Sequence, residues 1–448
     1  MFKRSIIKQL EQWKDKPDRK PLMLLGARQV GKTFVQKQFK DGDIYWPISI
    51  MKVPVILLNY NSSADCCKCV ADIFRKTKNP IQIVEQLSFL CDKPIKVGKT
   101  LLILDEIQSC PEAISSLKYF CENMPDLALA CAGSLLGLAF GHEGFSFPVG
   151  KVDHLNMYPL TFSEFLEQKD AGLYRYFISI KAVESLPEVF FNRLASSFTA
   201  YRICGGMPEA ATKMLNADMA SVEEKLRNIL KDYTFDFVKH ATPLLANRIS
   251  HVWNSLPSQL AKENHKFLYQ LVRPGARARE YEDALLWLQN AGLIHKVSLC
   301  QTPRIPLKSY EDLSTFKIYA LDIGILRVLS EMDASVYIDT TSAFSEFKGA
   351  LAENYILQSL TANGLNCMRY WSSGNRAEVD FLLQYGNMVI PIEVKSDTNI
   401  KGRSLVEYDK KYSPSLRLRY SMRNLSKDGN LINIPLFLAD RTEVLISQ

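Results

Sequence analysis

Leu22-Met-Leu-Leu-Gly26-Ala27-Arg28-Gln29-Val30-Gly31-Lys32-Thr33 is the stretch on which the fold turns. Its four apolar residues in a row read as a strand covered on both faces, the pattern of a parallel sheet. The eight residues from Gly26 match G-x-x-x-x-G-K-[ST] without departure. Glycines let this backbone curl so that successive N–H groups point inward at phosphate oxygens, at the start of a helix whose dipole favours anions. Lys32 is placed to reach β- and γ-phosphates, and the Thr33 hydroxyl to ligate magnesium. A strand before and a helix after are the context that separates a nucleotide loop from a chance match.

The second half of such a site is Leu101-Leu-Ile-Leu-Asp105-Glu106. A buried strand ending in two acids delivers them to the carboxyl edge of the sheet, beside the phosphates. Asp105 then holds magnesium, and Glu106 orients and polarises the water that attacks the γ-phosphate. Two acids at a strand end are otherwise an ordinary solvated terminus, and it is the complete loop upstream that decides for function. Ser134 follows the next strand, where it either contacts the γ-phosphate or the attacking water or simply caps a helix. No arginine takes the finger role from sequence: Arg28 and Arg202 both have structural readings.

Outward from this loop, Ile6, Ile7, Leu10 and Trp13 have helical spacing, and further apolar runs at 53–58, 100–104, 127–132 and 151–157 predict strands. Strands alternating with helices make residues 1–165 an α/β doubly wound domain. The pattern is mostly helical over 166–235. Over 236–343 the order helix, turn, helix, strand is that of a winged helix, with a helical linker carrying one hairpin as the plain alternative. A fresh α/β pattern fills 344–448: a helix over 349–360, then strands over 367–371, 378–385 and 388–395, the last two joined by Gly386-Asn387.

At 448 residues the chain exceeds one ordinary core, and 47% hydrophobic with 23% charged residues argues for globular domains. A net charge of +7 is a mild bias, compatible with nucleic acid but too weak to argue for it. No apolar run is long enough to span a bilayer, and no secretory signal opens the chain, which predicts no membrane partner and a cytoplasmic place. Ten cysteines without paired spacings predict reduced thiols, and Cys66, Cys67 and Cys69 lack the partners a zinc site needs.

Gly26–Thr33 (GARQVGKT), Asp105–Gln108 (DEIQ), Tyr158–Phe165 (YPLTFSEF), Gly205–Glu209 (GGMPE), Gly349–Glu353 (GALAE), Glu378–Phe381 (EVDF) and Glu393–Lys395 (EVK) together resemble a known group. It is the predicted prokaryotic ATPases of the AAA+ superfamily that carry an extra C-terminal domain of unknown function. The resemblance covers nearly the whole chain. It implies an AAA-type P-loop ATPase domain with a helical lid, a winged-helix-like middle, and a C-terminal α/β domain similar to PD-(D/E)xK nucleases, with ATP and Mg2+ as cofactors. Relatives often carry arginine where this chain has Lys151, which leaves the arginine finger open.

The C-terminal motifs also have a physical reading. Twelve residues separate Asp380 from Glu393 on its hairpin partner, and period-two alternation puts Glu393 and Lys395 on one face. Two carboxylates of this kind hold magnesium that activates water, and the lysine positions or deprotonates the nucleophile. Glu353, on the preceding helix, is the extra acid. Val379 stands where the name-giving motif has proline. The alternative is a buried ion pair with exposed acids, or a nuclease fold retained only for binding.

The middle segment's presumed recognition helix carries Arg279 with Glu280, Glu282 and Asp283, a mixture that repels phosphates, although Arg273 and Arg277 at its start suit backbone contact. DNA contact and plain protein contact both stay open, as does oligomerisation. Two functions are therefore expected to compete. One is an ATP-driven machine acting on nucleic acid through the nuclease-like tail. The other is a regulatory ATPase whose tail binds protein and cleaves nothing.

Overall fold

The computed structural model describes residues 2–35, 55–59, 64–133, 147–262, 266–334, 345–365, 368–374, 377–398 and 403–447. Two compact units result: Arg4–Tyr158 with Asn290–Gly292, and Met1–Lys3, Pro159–Gln289 and Leu293–Gln448. No helix among the described residues is long and apolar enough to cross a membrane.

The first unit opens with α1 (Ile6–Asp15), whose Ile6, Leu10 and Trp13 are buried at helical spacing. Its sheet contains β1 (Leu22–Leu25), β2 (Val55–Asn59), β3 (Leu101–Asp105), β4 (Ala128–Ala132) and β5 (Asp153–Asn156), each lying in one of the five apolar runs or within a residue of it. The strand order is β2-β3-β4-β1-β5, and every pairing is parallel. β4 therefore lies between the strand that feeds the phosphate loop and the strand that ends in Asp105. All five residues of β3 are buried, as a strand covered on both faces requires, whereas β5 at the edge alternates between half-buried and exposed.

Helices supply that cover: α2 (Ala64–Lys76), α3 (Pro80–Leu90) and α4 (Pro111–Asn123). Phe74, Ile83, Leu87, Leu117 and Phe120 from them pack with Met23, Leu102, Leu104 and Leu129 of the sheet in one core. The N-terminus of α3 is set by Asn79, whose side chain accepts from Ile81 N, with Pro80 in the first turn.

The second unit starts with helices: α5 (Phe162–Lys169), α6 (Ala171–Ser179), α7 (Glu188–Cys204), α8 (Pro208–Leu215), α9 (Met219–His240) and α10 (Pro243–Leu260). Two of the sequence motifs meet here as architecture. Thr161 and Glu164 form a reciprocal capping box at the start of α5. Leu160 N donates to Gly206 O at 2.7 Å, joining that corner to the glycine turn after α7. Asp322, fully buried, holds the same turn: its carboxylate accepts from Gly206 N at 2.6 Å, Gly324 N at 2.9 Å and Gln358 Nε2 at 3.0 Å.

Gly205 ends α7 at φ +66°, ψ −164°, a region open almost only to glycine. A Cβ there would stand 2.2 Å from Asp322 Oδ1 and 2.7 Å from Gly324 N. Gly205→Ala is therefore expected to destabilise the protein by about 3 kcal/mol or more, strain and overpacking adding together. Chemical denaturation checks it, and an unchanged midpoint would remove the argument.

Beyond α10 come α11 (Tyr269–Val272), α12 (Ala278–Asn290), β6 (Ile294–Cys300), β7 (Glu311–Ala320) and α13 (Ile323–Leu329). Then follow α14 (Ser345–Ala362), β8 (Met368–Ser372), β9 (Glu378–Tyr385), β10 (Met388–Val394), α15 (Ser404–Tyr412), β11 (Arg417–Ser421), β12 (Ser426–Asp428), β13 (Leu431–Pro435) and α16 (Thr442–Ile446). The sheet order is β12-β13-β11-β10-β9-β8-β6-β7.

The first boundary read from sequence, 165/166, lies a few residues past Tyr158, where the first unit's main segment ends; the two later ones cut through structure. Helices run on through residue 235, and β6 and β7 from the 236–343 segment join the same sheet as the C-terminal strands, so a cut at 343/344 separates hydrogen-bonded strands. β7 was not foreseen. Its first half is exposed or half-buried and, Leu313 apart, polar, and only 316–320 are buried, so it lacks a strand's continuous pattern.

Candidate functional site

The phosphate loop follows β1. Gly26, Gln29 and Gly31 have φ of +143°, +65° and +100°, the turns that aim backbone N–H groups inward. Gly26 is obligatory for a second reason: a Cβ would meet Met157 O, just past β5, at 2.2 Å. Val35 N donates to Gly31 O at 3.0 Å, so a helix begins where the loop ends. Arg4, nearly buried, clamps the loop from outside. Its Nη1 donates to Val30 O at 2.7 Å and its Nη2 to Tyr158 O at 2.6 Å. Sequence reading passed over Arg4, because a basic residue before an amphipathic helix carries no signal of burial.

Lys32 is buried, and its Nζ donates to Gly26 O at 2.8 Å and Ala27 O at 2.7 Å. Burial pulls its pKa down to about 8, against the nearby Glu106 and Asp105. Thr33 Oγ1 donates to Asp105 Oδ2 at 3.0 Å, so the loop and the end of β3 meet although β4 separates their strands. Burial, then Glu106, pushes the Asp105 carboxyl above its ordinary range, while the Thr33 hydrogen bond opposes the shift. A hydroxyl and a carboxylate in contact are the hard oxygen donors that magnesium takes, and the pair fits the ion.

Glu106 sits at φ +55°, the left-handed region that non-glycine residues seldom enter. Such a conformation costs on the order of 1 kcal/mol and is found where a side chain must be aimed. Gln108 Nε2 donates to Glu106 Oε2 at 2.5 Å, a contact the DEIQ motif did not declare. Of the remaining nucleotide-site residues, Ala27 and Val30 are buried and Arg28 is exposed. Ser134 lies outside the described residues. Lys151 pairs with Glu122 at 3.0 Å on the surface, and the Arg202 guanidinium stacks 5.0 Å from the Phe198 ring.

In the second unit β9 and β10 pair antiparallel, Phe381 opposite Ile392, which brings Asp380 to Glu393 as expected from the hairpin spacing. Asp380 Oδ2 accepts from Val394 N at 2.7 Å. Burial, then Glu353, pushes Asp380 up to about 8. Glu393 is 2% exposed, with Arg419 Nε at 3.1 Å from Oε2 and Lys395 Nζ at 3.5 Å from Oε1. Glu353 Oε2 accepts from Tyr319 OH at 2.8 Å.

Lys317 completes the cluster. It is fully buried on β7, and its Nζ lies 2.5 Å from Glu378 Oε1. Burial pulls its pKa down, but Glu353, Glu378 and Asp380 together hold it above the ordinary lysine value. Sequence reading missed Lys317, Tyr319 and Arg419: two belong to the unforeseen strand, and none lies in a motif.

Glu353, Asp380 and Glu393 were expected as metal ligands, and the structure assigns them other partners. Among the described residues no group of three or more His, Cys, Asp or Glu side chains is disposed to hold a metal ion.

Residues 18–166 match the model of an AAA domain family, 195–336 a domain of unknown function (DUF8612), and 348–437 another (DUF4143). No curated protein matches the chain. Among solved structures it is similar to a Walker-type ATPase of Pyrococcus abyssi, at 16% identity and a TM-score of 0.44, covering 73% of this chain and 96% of that one. It is also similar to the ORC2 protein of Aeropyrum pernix in ADPNP–ADP complexes, at 14% identity and a TM-score of 0.34, covering 71% and 88%. Cdc6p from Pyrobaculum aerophilum follows at 13% identity and a TM-score of 0.26, covering 75% and 94%. The phosphate loop, the parallel sheet that positions it and the family match agree: residues 18–166 form an AAA domain.

Proposed function

We propose that the chain hydrolyses ATP and that nucleotide state governs how its second unit engages nucleic acid. The observation that carries the first half is the contact between Thr33 and Asp105, with Lys32 and Glu106 beside it. In this reading the loop amides and Lys32 hold the β- and γ-phosphates, while Gln108 keeps Glu106 aimed at the attacking water. Thr33 and Asp105 hold magnesium, which supplies neutralisation of phosphate charge when bound. The chain's own groups do the rest: they orient, and they lower the barrier by being in place beforehand.

The second half is supported by the order helix, three strands, helix, strand over 345–421, similar to the PD-(D/E)xK nucleases. The basic tail supports it too, with ten Lys/Arg against six Asp/Glu from residue 395 onward. The competing reading, in which the second unit cleaves nothing, is favoured by one observation: the carboxylate proposed for catalysis, Glu393, is held by Arg419 and Lys395. We therefore place the function in binding, without phosphodiester cleavage.

Fluorescence anisotropy of labelled single- and double-stranded DNA and RNA with the full chain tests it, with and without ATP. Nucleotide-dependent binding that weakens by at least tenfold between 50 and 200 mM salt, with the probe intact, is expected, since counterion release dominates phosphate contacts. Absence of binding at low salt in every nucleotide state would leave a protein partner in its place, and magnesium-dependent cutting would restore a nuclease.

A further inference from the structure

We propose that the carboxylate cluster of the second unit is closed by the chain's own cations, Lys317 and Arg419, and takes no divalent metal ion. It rests on the non-cleaving reading above and assigns its physical cause. A nuclease-like site needs carboxylate oxygens that converge on an ion and remain open to it. Here each of the three acids has one of its two oxygens committed to an internal donor. Tyr319 OH donates to Glu353 at 2.8 Å, Val394 N to Asp380 at 2.7 Å, and Arg419 Nε to Glu393 at 3.1 Å.

The charge is occupied as well. Lys317 is fully buried, with its Nζ 2.5 Å from Glu378, and the negative charges of Glu353 and Asp380 help hold its pKa above the ordinary lysine value. Its Nζ also lies 4.9 Å from the centroid of the Tyr370 ring, so one side of the ammonium faces an aromatic surface. An ammonium without water around it repels a divalent ion at short range far more strongly than it would in solvent. The ammonium is fixed there, because removing either partner of its pair with Glu378 strands a buried charge.

The origin of the cation is informative. Lys317 belongs to β7, before the segment that matches the C-terminal family model, so the helix and strands carrying Glu353, Asp380 and Glu393 do not contain it. The 311–320 strand joins that sheet through β6 and brings a lysine to the acids. Lys317 thus does the neutralising that an ion would otherwise do.

Mn2+ titration of the nucleotide-free full chain, followed by the electron-spin resonance of free Mn2+, tests this. Asp380→Asn is titrated in parallel so that ions held at the phosphate loop cancel. Wild type and Asp380→Asn are expected to bind the same number of ions with the same affinity up to millimolar Mn2+. An ion bound by wild type and lost in Asp380→Asn would overturn the proposal, yet leave the non-cleaving function standing if the nucleic acid stayed intact.

Lys317→Met gives a second arm. If folded, it should melt several degrees lower than wild type and recover part of that loss with Mn2+, the ion replacing the ammonium. Melting that matches wild type in the absence of metal would show that Lys317 neutralises nothing, and would equally overturn it.

Discussion

Lys32→Ala is expected to lower ATP affinity by about 10²–10³-fold, the cost of removing one partner from a buried, hydrogen-bonded charge pair. In the nucleotide-free chain the ammonium is desolvated and rests on two carbonyls, Gly26 O and Ala27 O, with its pKa pulled down to about 8. Phosphate oxygens relieve that desolvation, so the charge contributes more to the complex than to the free fold. The alanine variant should consequently melt no lower than wild type while losing nucleotide. Calorimetric titration with ATP, paired with thermal melting, separates these effects. Unchanged ATP affinity would remove Lys32 from the phosphate site, and a collapse of melting temperature would make its role structural.

Glu106→Gln is expected to keep ATP binding and lose turnover by about 10²–10⁴-fold, the range ascribed to a positioned general base. Orienting and polarising the water matters only at the transition state, so ground-state affinity is untouched. Stability should also hold, because glutamine carries the same backbone cost at φ +55° and still offers an oxygen to Gln108. Single-turnover hydrolysis with radiolabelled ATP reads the effect. Turnover within a few-fold of wild type would place the base elsewhere. Gln108→Ala should then show a smaller loss of the same kind, since it acts through the aim of Glu106.

Local chemistry was legible where it depends on consecutive residues. Gly26 to Thr33 declare a backbone shape, because glycine's freedom and the lysine's reach are properties of the stretch itself. β3 and its two acids were legible because an unbroken apolar run has few other readings. Asp380, Glu393 and Lys395 were legible as neighbours because a hairpin with alternating faces sets their spacing. What those acids would meet was not legible: Arg419, which pairs with Glu393, stands on the neighbouring strand β11, outside every motif.

The sequence by itself determined a nucleotide-binding parallel-sheet domain, the phosphate loop with its acidic strand end, and a later hairpin carrying two acids and a lysine. Tertiary structure alone decided the strand order that sets β4 between β1 and β3, the burial of Arg4 against the loop, and the joining of β6 and β7 to the C-terminal sheet. It alone brought Lys317 to Glu378, sixty-one residues along the chain. The physical reason is one of range. Periodicity and turn chemistry act over a few residues, whereas the partner of a buried charge is chosen by which distant strand packs over it, and desolvation then makes that choice binding.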